Sequence, residues 1–309
     1  MADAERQLQV EGAQRTRVGA CAVVAGLLFF GGQVLITLIG AKEKSIGVLQ
    51  GLAPAFNGQA AARVDPRTVH EQFLVHYQWS LIGGFVISCV GVLLMIFPLR
   101  YLGAAEQLRS NAPSPIGRYA AIAGPAMYGA FLPAFEISLI LGAHSYLSGH
   151  ARTGSAIDAA TGGGLRVAFQ LILTIGTLLL AVAFIMVSLR SMRVGLLTRM
   201  MGTVGIIAGV LFLIPITPLP VIQALWLIFV GAMFVEFGRR PLPEAWRVAT
   251  AVPWPAREPS ARQQRQRGGG GLLGGGAGMR RRESAPAVPA PTAPRGPSPS
   301  ASKKRKRRR

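Results

Sequence analysis

Residues 167–189 read VAFQLILTIGTLLLAVAFIMVSL, a stretch of 23 residues without a charged side chain. An α-helix rises about 1.5 Å per residue, so this stretch alone can cross the ~30 Å hydrocarbon core of a bilayer. It predicts a transmembrane helix over about residues 165–189.

Five further apolar segments have similar character, at about residues 18–40, 78–99, 117–143, 200–216 and 219–238. Charged residues make up only 15% of the chain, whereas a soluble domain carries about 25%. The last two segments are short, and a proline-rich connection predicts that they form a helical hairpin. The alternative is a re-entrant pair that leaves four full crossings. The predicted fold class is all-α, a polytopic transmembrane bundle of about six spans.

Basic residues outside these segments predict the orientation. They collect in the N-terminal arm, residues 1–17, and in the loops after spans two and four: Arg6, Arg15, Arg17, Arg100, Arg109, Arg118, Arg190, Arg193 and Arg199. Lys and Arg accumulate on the cytoplasmic side of membrane proteins. We therefore expect a multi-pass protein of the cell (plasma) membrane, with both termini in the cytoplasm.

The segments outside the bundle differ in character. In the outer-surface loop 41–77, Asp65-Pro66 is a typical helix start, and Val69, Phe73 and His76 follow with amphipathic spacing. Residues 239–255 are interpreted as a juxtamembrane segment. Residues 256–309 are rich in Gly, Pro and basic residues, a composition that predicts disorder.

The C-terminal part carries most of the positive charge. Residues 239–309 contain 18 Lys and Arg against 3 Asp and Glu. At ~1 kcal/mol per basic residue near an anionic leaflet, the closing run is expected to bind anionic phospholipid headgroups, in preference to non-specific nucleic-acid binding. The run consists of Lys303, Lys304, Arg305, Lys306, Arg307, Arg308 and Arg309.

Glu136 lies inside span three, where an ionisable side chain is a default functional candidate. Counted by helical rise, four intramembrane residues fall roughly 6–11 Å below the outer surface, with Arg166 one turn above Gln170. The four are Glu136, Gln33, Gln170 and Gln223. This layer has two interpretations: a structural hydrogen-bond network, or a shallow outward-facing pocket for a proton, a cation or a small polar ligand. Glu136 is expected to be protonated, or paired with Arg166 or a glutamine.

No catalytic, nucleotide-binding or metal-binding signature appears in the sequence. His70, His76, His144 and His150 are interpreted as solvated loop residues, with a metal or haem site as the alternative. We predict no cofactor and no metal. The favoured function is a non-enzymatic integral membrane protein with a basic tail. A small transporter or sensor that uses the layer around Glu136 is the alternative, and a membrane-embedded enzyme comes third.

Small residues recur at helical spacing in two spans. Gly205 and Gly209 form a GxxxG pair in span five, and Gly84, Ser88 and Gly91 lie along span two. Such residues let helices approach closely. We expect them to pack within the bundle rather than to form a dimer surface.

The basic loop and glycine-spaced helix from Leu189-Arg190 to Val210, GLLTRMMGTVGIIAGV over residues 195–210, resemble a recurring stretch in bacterial multi-span membrane proteins of unknown function. The Ala/Arg/Gly-rich composition is similarly typical of a high-GC, actinobacterial-like source. The resemblance implies a bacterial cell membrane. It implies no activity and no site residues.

Overall fold

Every regular element in the described part of the chain is a helix. The computed structural model describes residues 2–43, 67–110, 115–149, 154–214, 219–237, 242–248 and 250–252. The helices are α1 (Ala2–Gly40), α2 (Arg67–His76), α3 (Gln78–Leu94), α4 (Ile96–Arg109), α5 (Pro115–Ser148), α6 (Gly154–Thr161), α7 (Gly164–Arg193), α8 (Arg199–Leu213), α9 (Val221–Phe234) and a 3-10 helix (Glu244–Trp246).

Four helical segments are long and apolar enough to cross a membrane: Leu8–Gly40, Gln78–Arg109, Pro115–Ser148 and Gly164–Arg193. The second consists of α3 and α4, joined through Met95. The predicted hairpin is formed by α8 and α9, which have 15 and 14 residues and are about 22 and 21 Å long. The prediction of an all-α transmembrane bundle is confirmed, with four long helices and two shorter ones.

The six apolar segments pack as a closed ring. Helix α1 lies between α3 and α9, α5 lies between α3 and α7, and α8 joins α7 to α9. Small residues allow close approach at these contacts. A Cβ added at Gly91 would lie 2.5 Å from the Phe29 nitrogen, and one at Gly124 would lie 2.5 Å from the Leu180 nitrogen.

The hairpin of α8 and α9 extends only part of the way along the ring. Gly231 of α9 faces Gly19 of α1, and Ala224 faces Gly26. Since α9 begins only three residues before Ala224, α1 continues beyond it for about 16 Å to Gly40. One end of the bundle therefore has six helices in its ring, and the other is built around four.

An aromatic cluster fills the centre of the six-helix part. Phe184 contacts Phe212 and Trp226, with ring centroids 5.3 and 4.9 Å apart. Trp226 Nε1 donates a hydrogen bond to the Met201 carbonyl oxygen over 3.0 Å. A Cβ added at Gly205 would lie 2.5 Å from the same indole nitrogen. The prediction that the span-five glycines pack within the bundle is confirmed.

The outer surface of the long helices is apolar. On α7, the Leu171, Ile175 and Leu178 side chains are 59%, 48% and 48% exposed. Their spacing of three and four residues places them along one face of the helix. A continuous exposed apolar face on a helix of this length fits contact with lipid chains.

Two sequence predictions concern segments beside the spans. The amphipathic helix predicted in the outer loop is confirmed as α2, but Asp65 and Pro66 lie outside the described residues. The arm predicted for residues 1–17 is helical from Ala2 and is continuous with span one in α1. The predicted disorder of residues 256–309 also lies outside the described residues.

Candidate functional site

Glu136 lies on α5, in the half of that helix that ends at Ser148. Its side chain is half-buried. Arg166 and His70 are the basic residues whose charges act on its carboxylate. In the described part of the chain, no hydrogen bond or ion pair engages that carboxylate. No glutamine pairs with Glu136 within the described residues, and Arg166 acts on the carboxylate through its charge without a hydrogen bond or ion pair to it. A carboxyl group in this setting can exchange a proton or a small cation without first breaking an ion pair.

The three glutamines that were predicted to share a layer with Glu136 occupy different environments. Gln33 Nε2 donates a hydrogen bond to Ser88 Oγ over 3.3 Å, which links α1 to α3. Gln170 is exposed on α7, whereas Gln223 is only 5% exposed on α9. No hydrogen bond joins any of them to Glu136 within the described ranges. Gln223 also lies about 9 Å from the level of Gln33, because the residue after it, Ala224, faces Gly26 of α1. Spacing along a helix shows neither where the helix lies against its neighbours nor which of its faces points inward.

Two of the histidines have polar partners on other elements. His70 Nδ1 and Glu43 Oε1 are 2.8 Å apart, and His144 Nε2 and Gln78 Oε1 are also 2.8 Å apart. No three His, Cys, Asp or Glu side chains come together among the residues that the structure describes. His150 lies outside those residues. The metal alternative for the histidines therefore gains no support.

The opposite end of the bundle contains a buried ion pair. Arg109, at the end of α4, places Nη2 2.9 Å from Glu11 Oε2 and Nη1 3.2 Å from Glu11 Oε1. The Arg109 side chain is 1% exposed and that of Glu11 is 12% exposed. The Tyr101 hydroxyl donates to the Glu11 carbonyl oxygen over 2.8 Å. A two-point pair of this kind fixes the relative positions of α1 and α4.

Two further ion pairs lie at this end, which we call the ion-paired end. Arg190 of α7 and Glu106 of α4 are 3.4 Å apart, with Glu106 buried. Arg15 of α1 pairs with Glu236, which follows α9 and has a φ of 57°. That backbone conformation is uncommon for a residue other than glycine. Together the three pairs connect α1, α4, α7 and the end of α9.

A short segment after α9 is docked on the ion-paired end. This docked segment comprises residues 242–252, without residue 249. Trp246 is 6% exposed and stacks on Tyr101, with ring centroids 5.6 Å apart. Its Nε1 donates to the Leu196 carbonyl oxygen over 2.9 Å, and Arg109 Nε donates to the Ala245 carbonyl oxygen over 2.8 Å.

A backbone contact fixes the end of the docked segment. The Val252 amide donates to the Val194 carbonyl oxygen over 3.2 Å. Gly195, with a φ of 82°, lies beneath it, and an added Cβ would come 2.0 Å from the Val252 carbonyl oxygen. A glycine is therefore required at residue 195 for both its backbone conformation and this close approach.

Sequence reasoning missed the ion-paired end as a structured site. It interpreted Arg109 and Arg190 as loop charges that report orientation. The sequence shows Glu11 and Glu106 in the same segments as these arginines, but it does not show which arginine each one pairs with. Glu236 lies three and four residues before Arg239 and Arg240, a spacing typical of a local helical pair or of a snorkelling side chain, but it pairs with Arg15 on α1. Arg239 and Arg240 themselves lie outside the described residues.

The proposed anionic-surface residues 303–309 also lie outside the described residues. No protein-family profile, curated protein or solved structure matches this chain. The resemblance to bacterial multi-span proteins gains no support from these comparisons and stays a prediction.

Proposed function

We propose that this chain is a non-enzymatic integral protein of a bacterial cell membrane that holds a basic tail at the cytoplasmic surface. There the tail binds anionic phospholipid headgroups. The observation that carries the proposal is the docked segment, because it fixes the chain to the ion-paired end up to Val252. The remaining residues follow directly in sequence and include the closing basic run.

The distribution of charge supports a cytoplasmic position for this end. The arginines that predict the cytoplasmic side by the positive-inside rule include Arg15, Arg109 and Arg190, which all form ion pairs at this end. A tail that follows Val252 would begin beside the leaflet whose anionic lipids attract basic segments. Bilayer binding is favoured over nucleic acid because the tether keeps the tail close to lipid.

The experiment uses the full chain in lipid nanodiscs, with Cys21 and Cys89 changed to Ala and a dye placed on the tail through Ser298→Cys. Quenching by acceptor lipids reports the distance of the dye from the bilayer. We expect strong quenching with phosphatidylglycerol and weak quenching with phosphatidylcholine alone. Raising the salt to about 1 M, where the Debye length is about 3 Å, should release the tail.

The matched control replaces residues 303–309 by Gly and Ser without changing the length. It should lose the quenching in phosphatidylglycerol. Unchanged quenching in this control would contradict the role of the basic run. Displacement of the tail by short duplex DNA at low micromolar concentration would favour the nucleic-acid alternative.

A small transporter or sensor is the second candidate. The observation that favours it is the half-buried Glu136 carboxylate, which is unpaired among the described residues. Solute uptake and proton flux in liposomes should then depend on Glu136 and fall in Glu136→Gln. Thr174→Ala on α7 is the matched control, because its exposed hydroxyl bonds only to its own helix. A flat response over a broad solute panel would favour the first proposal.

A further inference from the structure

A groove between α4 and α5 contains two arginines at the ion-paired end. It encloses about 210 Å³ and is lined by Leu99, Arg100, Gly103, Ala104, Gln107, Arg118 and Ala121. Its floor is apolar, since Leu99 is 0% exposed and Ala121 is 1% exposed. Arg100 and Arg118 are both exposed, one on each side of the groove.

These two arginines differ from the ion-paired arginines of the same end. Arg15, Arg109 and Arg190 each contact a carboxylate. Within the described ranges, neither Arg100 nor Arg118 has a hydrogen bond or an ion pair. Two guanidinium groups that face one cavity without a counter-charge form a site for an anion, and phosphate oxygens match guanidinium geometry.

The surface beside the groove is apolar on the side of the bilayer centre. Phe97 lies three residues before Arg100 on α4 and is 55% exposed. Ile122 lies four residues after Arg118 on α5 and is 36% exposed. Helices α4 and α5 run in opposite directions, so both apolar residues lie one turn nearer the bilayer centre than the arginine on their helix. The groove therefore has positive charge at the membrane boundary and apolar surface nearer the bilayer centre.

We propose that this groove binds one anionic phospholipid, with its phosphate between Arg100 and Arg118 and an acyl chain along Phe97 and Ile122. A cavity of this size suits a headgroup rather than a larger ligand. Basic pockets between transmembrane helices are known to hold anionic headgroups. This site goes beyond the proposed function, because it belongs to the helical bundle and does not involve the tail.

The experiment measures binding of phosphatidylglycerol to the full chain in neutral detergent by native mass spectrometry. Arg100→Gln/Arg118→Gln should weaken the tightest binding event by about tenfold or more. The control Arg17→Gln/Arg193→Gln removes the same charge from two other exposed arginines of this end and should keep it. Equal affinity in the two double variants would overturn the proposal.

A second variant keeps the charge and fills the cavity. A Cβ added at Gly103 meets nothing within 4 Å, so Gly103→Leu should fold and block the groove. We expect it to lose the tightest phosphatidylglycerol as well. If Gly103→Leu bound phosphatidylglycerol normally, the binding would be due to general charge attraction, and the proposed site would be overturned.

Two further measurements distinguish a bound lipid from a free anion, and binding in the groove from binding to the tail. Inorganic phosphate at millimolar concentration should not displace the lipid, because it lacks the acyl chain, and full displacement would indicate a free-anion site instead. The variant with residues 303–309 replaced should keep the groove-bound lipid. Loss of the lipid in that variant would assign the binding to the tail and overturn the proposal.

Discussion

Two charged side chains at opposite ends of the bundle have contrasting settings. At the ion-paired end, Arg109 is buried and has a carboxylate partner on another helix. At the other end, which we call the Glu136 end, Glu136 is half-buried and has no such partner among the described residues. A buried pair resists separation because removing one partner leaves an uncompensated charge. We expect from this comparison that the ion-paired end is the more rigid of the two ends.

The largest effect is expected from breaking the Arg109–Glu11 pair. Arg109→Gln should destabilise the bundle by about 3–5 kcal/mol, because it leaves the Glu11 carboxylate buried without its partner. Thermal unfolding in a mild detergent measures the change. Arg17→Gln, an exposed arginine on the same helix as Glu11, should shift the midpoint little. Similar midpoints for the two variants would remove the basis for calling this end rigid.

The second effect concerns the docked segment. Trp246→Ala should cost about 3 kcal/mol, because it removes the stacking on Tyr101 and the hydrogen bond to Leu196. Limited trypsin digestion at Arg247 should then become faster. Trp79→Ala is the control, since Trp79 is 78% exposed. Unchanged cleavage in Trp246→Ala would show that the indole does not hold the segment.

At the Glu136 end, the effects should be smaller. Gln33→Ala removes one hydrogen bond between α1 and α3 and should cost about 0.6 kcal/mol, the average for such bonds within membranes. The same unfolding assay applies. A loss above ~2 kcal/mol would mean that Gln33 belongs to a larger network and that the two ends are more alike than described.

The smallest effect on stability is expected from Glu136→Gln. The substitution keeps the shape and removes a charge that no hydrogen bond or ion pair engages among the described residues, so the free energy of unfolding should stay within ~0.5 kcal/mol of the original or rise slightly. A large drop would show that Glu136 itself forms an ion pair. An unchanged unfolding midpoint together with altered solute or proton flux would show that the role of Glu136 is functional rather than structural.

The fold could be predicted because long charge-free runs can be read directly from the sequence. A charge-free run such as residues 167–189 determines a helix and its length without knowledge of its neighbours. Helix α2 followed from amphipathic spacing for the same reason. Partners across the bundle depend on which faces meet, so the Glu11–Arg109 pair, 98 residues apart, carried no local signal.

Contacts across the bundle also decided why the three glutamines do not form one layer with Glu136. Helical rise assigned comparable depths to Gln33, Gln170 and Gln223, but the depth of Gln223 was wrong because α9 is short. Gln223 precedes Ala224, which faces Gly26 of α1, so it lies about 9 Å from the level of Gln33 along the bundle. Rotation about each helix axis placed one against Ser88, one on the exposed surface and one in the interior. The position of the docked segment was equally inaccessible, because it depends on a Trp246 contact with Tyr101, 145 residues earlier in the chain.

The most direct test of the account is the side of the membrane on which each end lies. Gly12→Cys at the ion-paired end and Ser148→Cys at the Glu136 end, each in a background without Cys21 and Cys89, are exposed to a membrane-impermeant thiol reagent in intact bacterial cells. We expect labelling of Ser148→Cys in intact cells and of Gly12→Cys only after permeabilisation. Labelling of Gly12→Cys in intact cells would contradict it.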